Sequence, residues 1–164
     1  MIVYGSNVSY FNGKFESYLR FREIDYDYRP LDIRRYRSTV PEHLGATAAR
    51  LRAERFDLAL ASDGDGDRLG VLAPDGTFVT PHRILALLAE SLAGRGRIGG
   101  GIAKTFSTSL LVDRVAARLG VPLHVTPIGF KWIAEKMLSG EVGIGGEESG
   151  GLGVSFFLPE RDGV

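Results

Sequence analysis

The residues best suited to chemistry lie in one run, Ser62-Asp63-Gly64-Asp65-Gly66-Asp67-Arg68. Asp63, Asp65 and Asp67 stand at i, i+2 and i+4 with glycine between them. Glycine lets the backbone turn tightly enough to aim alternate side chains at one point, where three carboxylates can share a hard cation. Three negative charges so close repel one another unless a cation offsets them. The plain alternative is a solvated acidic turn. Against it stands the apolar run Asp57-Leu58-Ala59-Leu60-Ala61-Ser62, which reads as a buried strand, because α/β folds hold ligands at the C-terminal ends of such strands. An EF-hand would need glycine at the sixth loop position and glutamate at the twelfth. Arg68 and Pro74 stand there instead, which removes that reading. A guanidinium beside the carboxylates weakens the site for a bare cation but suits a metal–phosphate complex.

A second chemical run is Gly145-Gly146-Glu147-Glu148-Ser149-Gly150-Gly151. Glutamate and serine on a glycine-rich loop suit hydrogen bonding to the vicinal hydroxyls of a sugar. A surface turn with two solvated glutamates fits the composition equally well. A general acid–base role for Glu147 or Glu148 rests on residue type alone. Thr126-Pro127-Ile128-Gly129-Phe130-Lys131-Trp132 puts Lys131 at the start of a helix, where anions are often held. Its aromatics, Phe130 and Trp132, read as core. Lys104 to Ser109 forms a strand-to-helix turn, with Thr105 or Ser107 as the expected helix cap.

These runs must be positioned by elements of short, alternating type. Strands are expected at Met1–Gly5, Asp25–Leu31, Asp57–Ser62, Gly101–Thr105, Val121–Val125, Val142–Gly145 and Val154–Leu158. A hairpin is expected over Leu69–Thr80. Helices are expected over Ser9–Ile24, Pro41–Phe56, Pro81–Ala93 on a face of Ile84, Leu85, Leu87, Leu88 and Leu92, Ser107–Leu119 and Ile128–Leu138. Such alternation gives an α/β protein with mixed, largely parallel sheets covered by helices. The break between them falls near residue 80, leaving segments 1–80 and 81–164. The 20 basic and 20 acidic side chains cancel, so the overall field favours neither nucleic acid nor an anionic membrane. The chain has no cysteine, which excludes disulfides and thiolate chemistry and fits a reducing cytoplasm.

Four motifs in order carry a family resemblance: Ser62–Arg68, Thr126–Ile133, Gly145–Gly151 and Pro159–Gly163. Together they resemble the α-D-phosphohexomutases, the family of phosphoglucomutases and phosphomannomutases, over residues 40–164. The resemblance covers the end of that family's second domain and its third. It implies a Mg²⁺-dependent intramolecular phosphoryl transfer on glucose or mannose phosphates. By the same resemblance Asp63, Asp65 and Asp67 hold Mg²⁺, Arg68 lies near the transferring phosphate, and Glu147 and Ser149 bind sugar hydroxyls. Lys131 and Lys104 are further substrate contacts. The family's phosphoserine loop and C-terminal phosphate-binding domain find no match, so the expectation is that this chain does not turn over by itself and works with missing domains of a longer enzyme.

Residues 1–34 resemble something else, the strand–helix–strand opening of the glutathione transferases, a thioredoxin-like segment. Ser6 or Tyr10 would then match its glutathione-activating hydroxyl. The chain thus reads as a mosaic or truncated fusion. The competing functions are a non-catalytic fold module and a glutathione-binding protein.

Overall fold

The computed structural model describes residues 2–5, 27–30, 45, 47–62 and 66–161. The expected helix over Ser9–Ile24, the hydroxyls of Ser6 and Tyr10, and the carboxylates of Asp63 and Asp65 lie outside them. The chain divides into two compact units, Met1–Val79 and Thr80–Gly163. Among the described residues no helix is long and apolar enough to cross a membrane.

The first unit holds β1 (Ile2–Gly5), β2 (Asp27–Pro30), β3 (Ala59–Ser62), β4 (Leu69–Leu72) and β5 (Phe78–Val79) in one sheet of order β2-β1-β3-β4-β5. β1 runs parallel to both β2 and β3, with Val3 opposite Leu60. β4 is antiparallel to β3 and to β5. The strand that delivers the aspartate run is therefore central. Helix α1 (residues 47–53) ends where Arg55 turns left-handed at φ 56° and the Phe56 N–H reaches back 3.2 Å to the Leu51 carbonyl. That six-to-one bond satisfies a helix-end carbonyl and folds Phe56 back toward the helix. Ala48, Leu51, Ala59 and Leu72 form the cluster against which Phe56 packs. The turn between β4 and β5 closes as expected: the Ala73 N–H donates to the Thr77 carbonyl at 2.8 Å, and Asp75 Oδ1 accepts from the Thr77 N–H at 2.8 Å.

The second unit has a sheet of order β7-β6-β8-β9, built from β6 (Gly101–Thr105), β7 (Leu123–Thr126), β8 (Val142–Gly146) and β9 (Leu152–Val154). β6 is parallel to β7 and β8, and β9 returns antiparallel to β8. Helices α2 (Pro81–Ala93), α3 (Leu110–Leu119) and α4 (Lys131–Leu138) cover it.

The glycines of β8 explain how closely they do so. A Cβ at Gly145 would meet the Ile133 side chain of α4 and lie 3.1 Å from Ala103 Cβ. At Gly146 it would lie 3.2 Å from Leu85 Cδ1 of α2. Successive strand residues face opposite sides, so α4 lies on one face and α2, packed against α3, on the other. Ala103, Phe130, Ile133, Met137 and Val142 form the core under α4.

Several boundaries and faces differ from the sequence reading. α2 buries Ile84, Leu85, Ala86 and Ala89, whereas Leu87 and Leu88 are exposed. The buried side is centred on Leu85 and Ala89, one turn apart, with Ile84 and Ala86 flanking them; at 3.6 residues per turn Leu87 falls nearly opposite and Leu88 on the margin. α3 starts at Leu110 with Ser109 as its cap, accepting from the Leu111 N–H at 3.1 Å, so neither Thr105 nor Ser107 caps it. It ends, as expected, at Gly120, whose φ of 67° suits glycine. The last strand is Leu152–Val154 rather than Val154–Leu158. The Ser155 N–H makes a final bond to the Gly143 carbonyl at 2.9 Å, then the Phe157 N–H closes a turn on Val154 at 3.2 Å. Apolar content made Phe156 to Leu158 look like strand, yet those residues are exposed.

Candidate functional site

Register brings the chemical runs of the second unit together. Thr105 pairs with Thr126 and Lys104 with Gly146, so the connections after β6, β7 and β8 leave the sheet side by side. This is the end where parallel α/β sheets bind ligands. The glycine-rich run is the hairpin turn between β8 and β9. The Glu147 N–H donates to the Gly151 carbonyl at 2.9 Å and the Gly150 N–H to the Glu147 carbonyl at 3.2 Å. Glu148 and Ser149 form its tip.

Glu147 is 4% exposed, and a carboxylate so buried needs partners. Oε1 accepts from the Gly129 N–H at 2.9 Å, and Oε2 lies 3.6 Å from Arg161 Nη1. Gly129, at φ 119°, adopts a backbone that an L side chain resists, and this aims its N–H at the carboxylate. One side chain thus joins three of the four motifs. Ser149 is exposed at the tip.

Glu148 turns the other way. Its Oε2 accepts from Ser107 Oγ at 2.6 Å and from Thr105 Oγ1 at 2.7 Å. The Ser107 hydroxyl first, and Thr105 with it, hold this carboxyl below the ordinary glutamate range against the opposing effect of burial. Thr105 Oγ1 is also 2.8 Å from Thr108 Oγ1.

The two lysines occupy different surroundings. Lys104 is 3% exposed. Its ammonium donates to the carbonyls of Thr108 at 3.1 Å and Ser109 at 3.3 Å and forms an ion pair with Asp113. Three acceptors match its three N–H donors, so Lys104 ties β6 to the start of α3. Lys131 is exposed at the first position of α4, with Nζ 4.6 Å from the Trp132 ring centroid. Phe130 is core, as expected, but Trp132 is exposed, because α4 turns Ile133 and Met137 to the sheet.

In the first unit, Asp67 is 5% exposed on the connection between β3 and β4, and Arg68 Nε lies 3.8 Å from its Oδ1. The Arg68 side chain itself is half exposed. No cluster of three metal-ligating side chains occurs among the described residues, and Asp63 and Asp65 are not among those.

Sequence reading missed the partners of both glutamates: Gly129 and Arg161 for Glu147, and Thr105 with Ser107 for Glu148. Local pattern carries no signal for them, since Thr105 and Glu148 are 43 residues apart. A glutamate following a buried strand was the one available hint that a distant donor was needed.

The family model described as phosphoglucomutase/phosphomannomutase, alpha/beta/alpha domain III, matches residues 80–164. The chain is similar to the phosphoglucosamine mutase of Rubrobacter xylanophilus, with 38% identity over 128 residues, 77% of this chain and 29% of that enzyme. A candidate phosphomannomutase of Thermus thermophilus superposes with a TM-score of 0.81 at 38% identity, over 99% of this chain and 39% of that one. The N-acetylphosphoglucosamine mutase of Aspergillus fumigatus, solved with GlcNAc-6P and magnesium, shares the fold at a TM-score of 0.56 and 16% identity, over 93% of this chain and 36% of that one. The chain therefore spans well under half the length of each of these proteins. The Thermus likeness takes in almost the whole chain. The resemblance of residues 1–34 to a glutathione transferase gains no support. With more than half of its residues matched by the domain III model, the chain belongs to the phosphoglucomutase/phosphomannomutase family.

Proposed function

We propose that this chain supplies the metal-holding and sugar-holding parts of a Mg²⁺-dependent phosphohexomutase. Its substrates would be hexose phosphates, glucose or mannose 1- and 6-phosphates or their 2-amino counterparts. The observation that carries this reading is the Glu147 junction, which gathers the glycine-rich hairpin, the Gly129 turn and Arg161 at the ligand-binding end of the sheet. Ser149 at the exposed tip offers a hydroxyl to a sugar, and the Glu147 carboxylate on the same hairpin can accept from one. We assign Lys131 to the substrate from its exposed place at the start of α4. Lys104 we assign to positioning, because protein acceptors surround its ammonium.

Asp63, Asp65 and Asp67 are the proposed metal ligands. The donor set is all carboxylate oxygen, which suits Mg²⁺ and leaves positions for water and phosphate. Buried Asp67 also fits, since a nearby cation offsets the cost of burying a carboxylate. A bound ion would neutralise charge on the transferring phosphoryl group. Arg68, half exposed next to it, can hold phosphate oxygens through its planar fork. We assign binding to this chain and turnover to a full-length enzyme that brings a phosphoserine and a phosphate-binding domain. A reducing, cytoplasmic setting suits its cysteine-free sequence.

Calorimetric titration of the chain with Mg²⁺ and then glucose 1,6-bisphosphate tests the proposal. Saturable, metal-dependent binding of the bisphosphate is expected. Binding of neither ligand would overturn the reading in favour of a non-catalytic fold module, and saturable glutathione binding would favour a transferase-like site.

A further inference from the structure

The hairpin tip is bounded by glycines on both sides, Gly145 and Gly146 before it and Gly150 and Gly151 after it. Glycine keeps more backbone freedom than any other residue. The β8–β9 ladder runs up to Gly146 and Leu152, and two backbone hydrogen bonds close the turn beyond it. Past the ladder the place of the tip is set by side chains. Glu147 is drawn to Gly129 and Arg161. Glu148 is drawn to the turn after β6, where Thr105 is fully buried and is held in turn by Thr108. Two anchors to different parts of the sheet end define an orientation that one alone leaves free to rock.

We propose that Glu148 is a positioning residue of the sugar site, strapping the tip that carries Ser149 to the β6–α3 turn through Thr105 and Ser107. The strap thereby sets discrimination between epimeric hexose phosphates. This rests on the reading of Glu147 and Ser149 as sugar-binding residues. Epimers differ only in the direction of one hydroxyl, so telling them apart needs a recognition group held to within about 0.5 Å. Glu148 meets that need through two hydroxyl donors converging on one oxygen at 2.6 and 2.7 Å. Those same donors make its carboxylate a weak base, which argues for holding rather than proton transfer.

The test uses the whole chain with Glu148→Ala, Glu148→Gln and Ser107→Ala. Two quantities are read: amide hydrogen exchange at residues 147–151, and the ratio of affinities for glucose 1-phosphate and mannose 1-phosphate. Glu148→Ala should speed exchange about tenfold and move the ratio toward unity, a fold-change in line with loss of hydrogen bonds to a charged group. Ser107→Ala, at an exposed position, should do the same more weakly. Glu148→Gln keeps an oxygen that accepts from both hydroxyls and should restore slow exchange and most of the discrimination. Unchanged exchange and ratio in Glu148→Ala would overturn the proposal. So would a Gln variant with slow exchange but affinities as poor as those of Ala, because charge on Glu148 would then be touching the ligand. If the unaltered chain binds neither hexose phosphate, the reading of the site fails and the discrimination with it, while the exchange rates decide the strap separately.

Discussion

Each carboxylate in this chain has its role set by what surrounds it. Glu147 is buried and answered by a backbone N–H and a guanidinium. Replacing it with alanine removes the acceptor of the Gly129 N–H and the ion pair to Arg161. Glu147→Ala should therefore destabilise the chain by about 2 kcal/mol, read as a lower urea midpoint at unchanged slope. Asp67 is equally buried but lies on the aspartate run proposed to hold Mg²⁺. Asp67→Asn keeps the size and removes the charge. It should weaken Mg²⁺ binding by about tenfold or more, since affinity follows the number of ligand charges, with little change in the far-ultraviolet spectrum. A variant that binds Mg²⁺ as tightly as the unaltered chain would remove Asp67 from the site.

At the level of elements, the second unit depends on how closely β8 lets its helices approach. A methyl at Gly145 would strike Ile133 and crowd Ala103, whereas one at Gly99 would meet nothing within 4 Å. Gly145→Ala should therefore cost about 1–3 kcal/mol through overpacking, and Gly99→Ala should be close to neutral, by thermal unfolding of the two variants side by side. The β8–β9 hairpin should also answer to acid. The Glu148 carboxyl is held low by Ser107 and, against the opposing effect of burial, by Thr105. A lowered folded value lends stability above the unfolded value of about 4.3 and loses it as pH falls through the folded one. Protection of the hairpin amides should be level from about pH 5 to 7 and decline below the ordinary glutamate range. His82, Glu147 and Arg161 are the other titratable groups facing this region, so Glu148→Gln identifies the source: it should abolish the acid step.

The whole molecule carries equal numbers of acidic and basic side chains, so any anionic ligand is held by local geometry rather than by the net field. Ligand binding should then appear as global stabilisation. Mg²⁺ with glucose 1,6-bisphosphate at about 100 times its dissociation constant should add about 2.7 kcal/mol to the bound unit. Differential scanning fluorimetry with and without a chelator checks this. A shift that survives chelation would show that the sugar phosphate binds without the metal.

Periodicity and turn chemistry were enough to read most elements of the second unit, because each is short, alternates in type and is punctuated by glycine or proline. The opening strands, which span Ile2–Gly5 and Asp27–Pro30, were also readable, and β1 does take its place beside the strand expected over Asp57–Ser62. The motifs themselves were legible as residue types: carboxylates with glycine between them, glutamate and serine on a loop. What those side chains touch was not legible. Lys104 read as a substrate contact, yet its strand position turns it toward Thr108, Ser109 and Asp113. Thr105 and Ser107 read as caps, yet they serve a glutamate 43 and 41 residues away. By itself the sequence determined which groups are available and which local shapes carry them, since both follow from neighbours in the chain. Only the tertiary structure decided which groups meet, because the parallel register of β6, β7 and β8 joins loops that are distant in sequence at one end of a sheet.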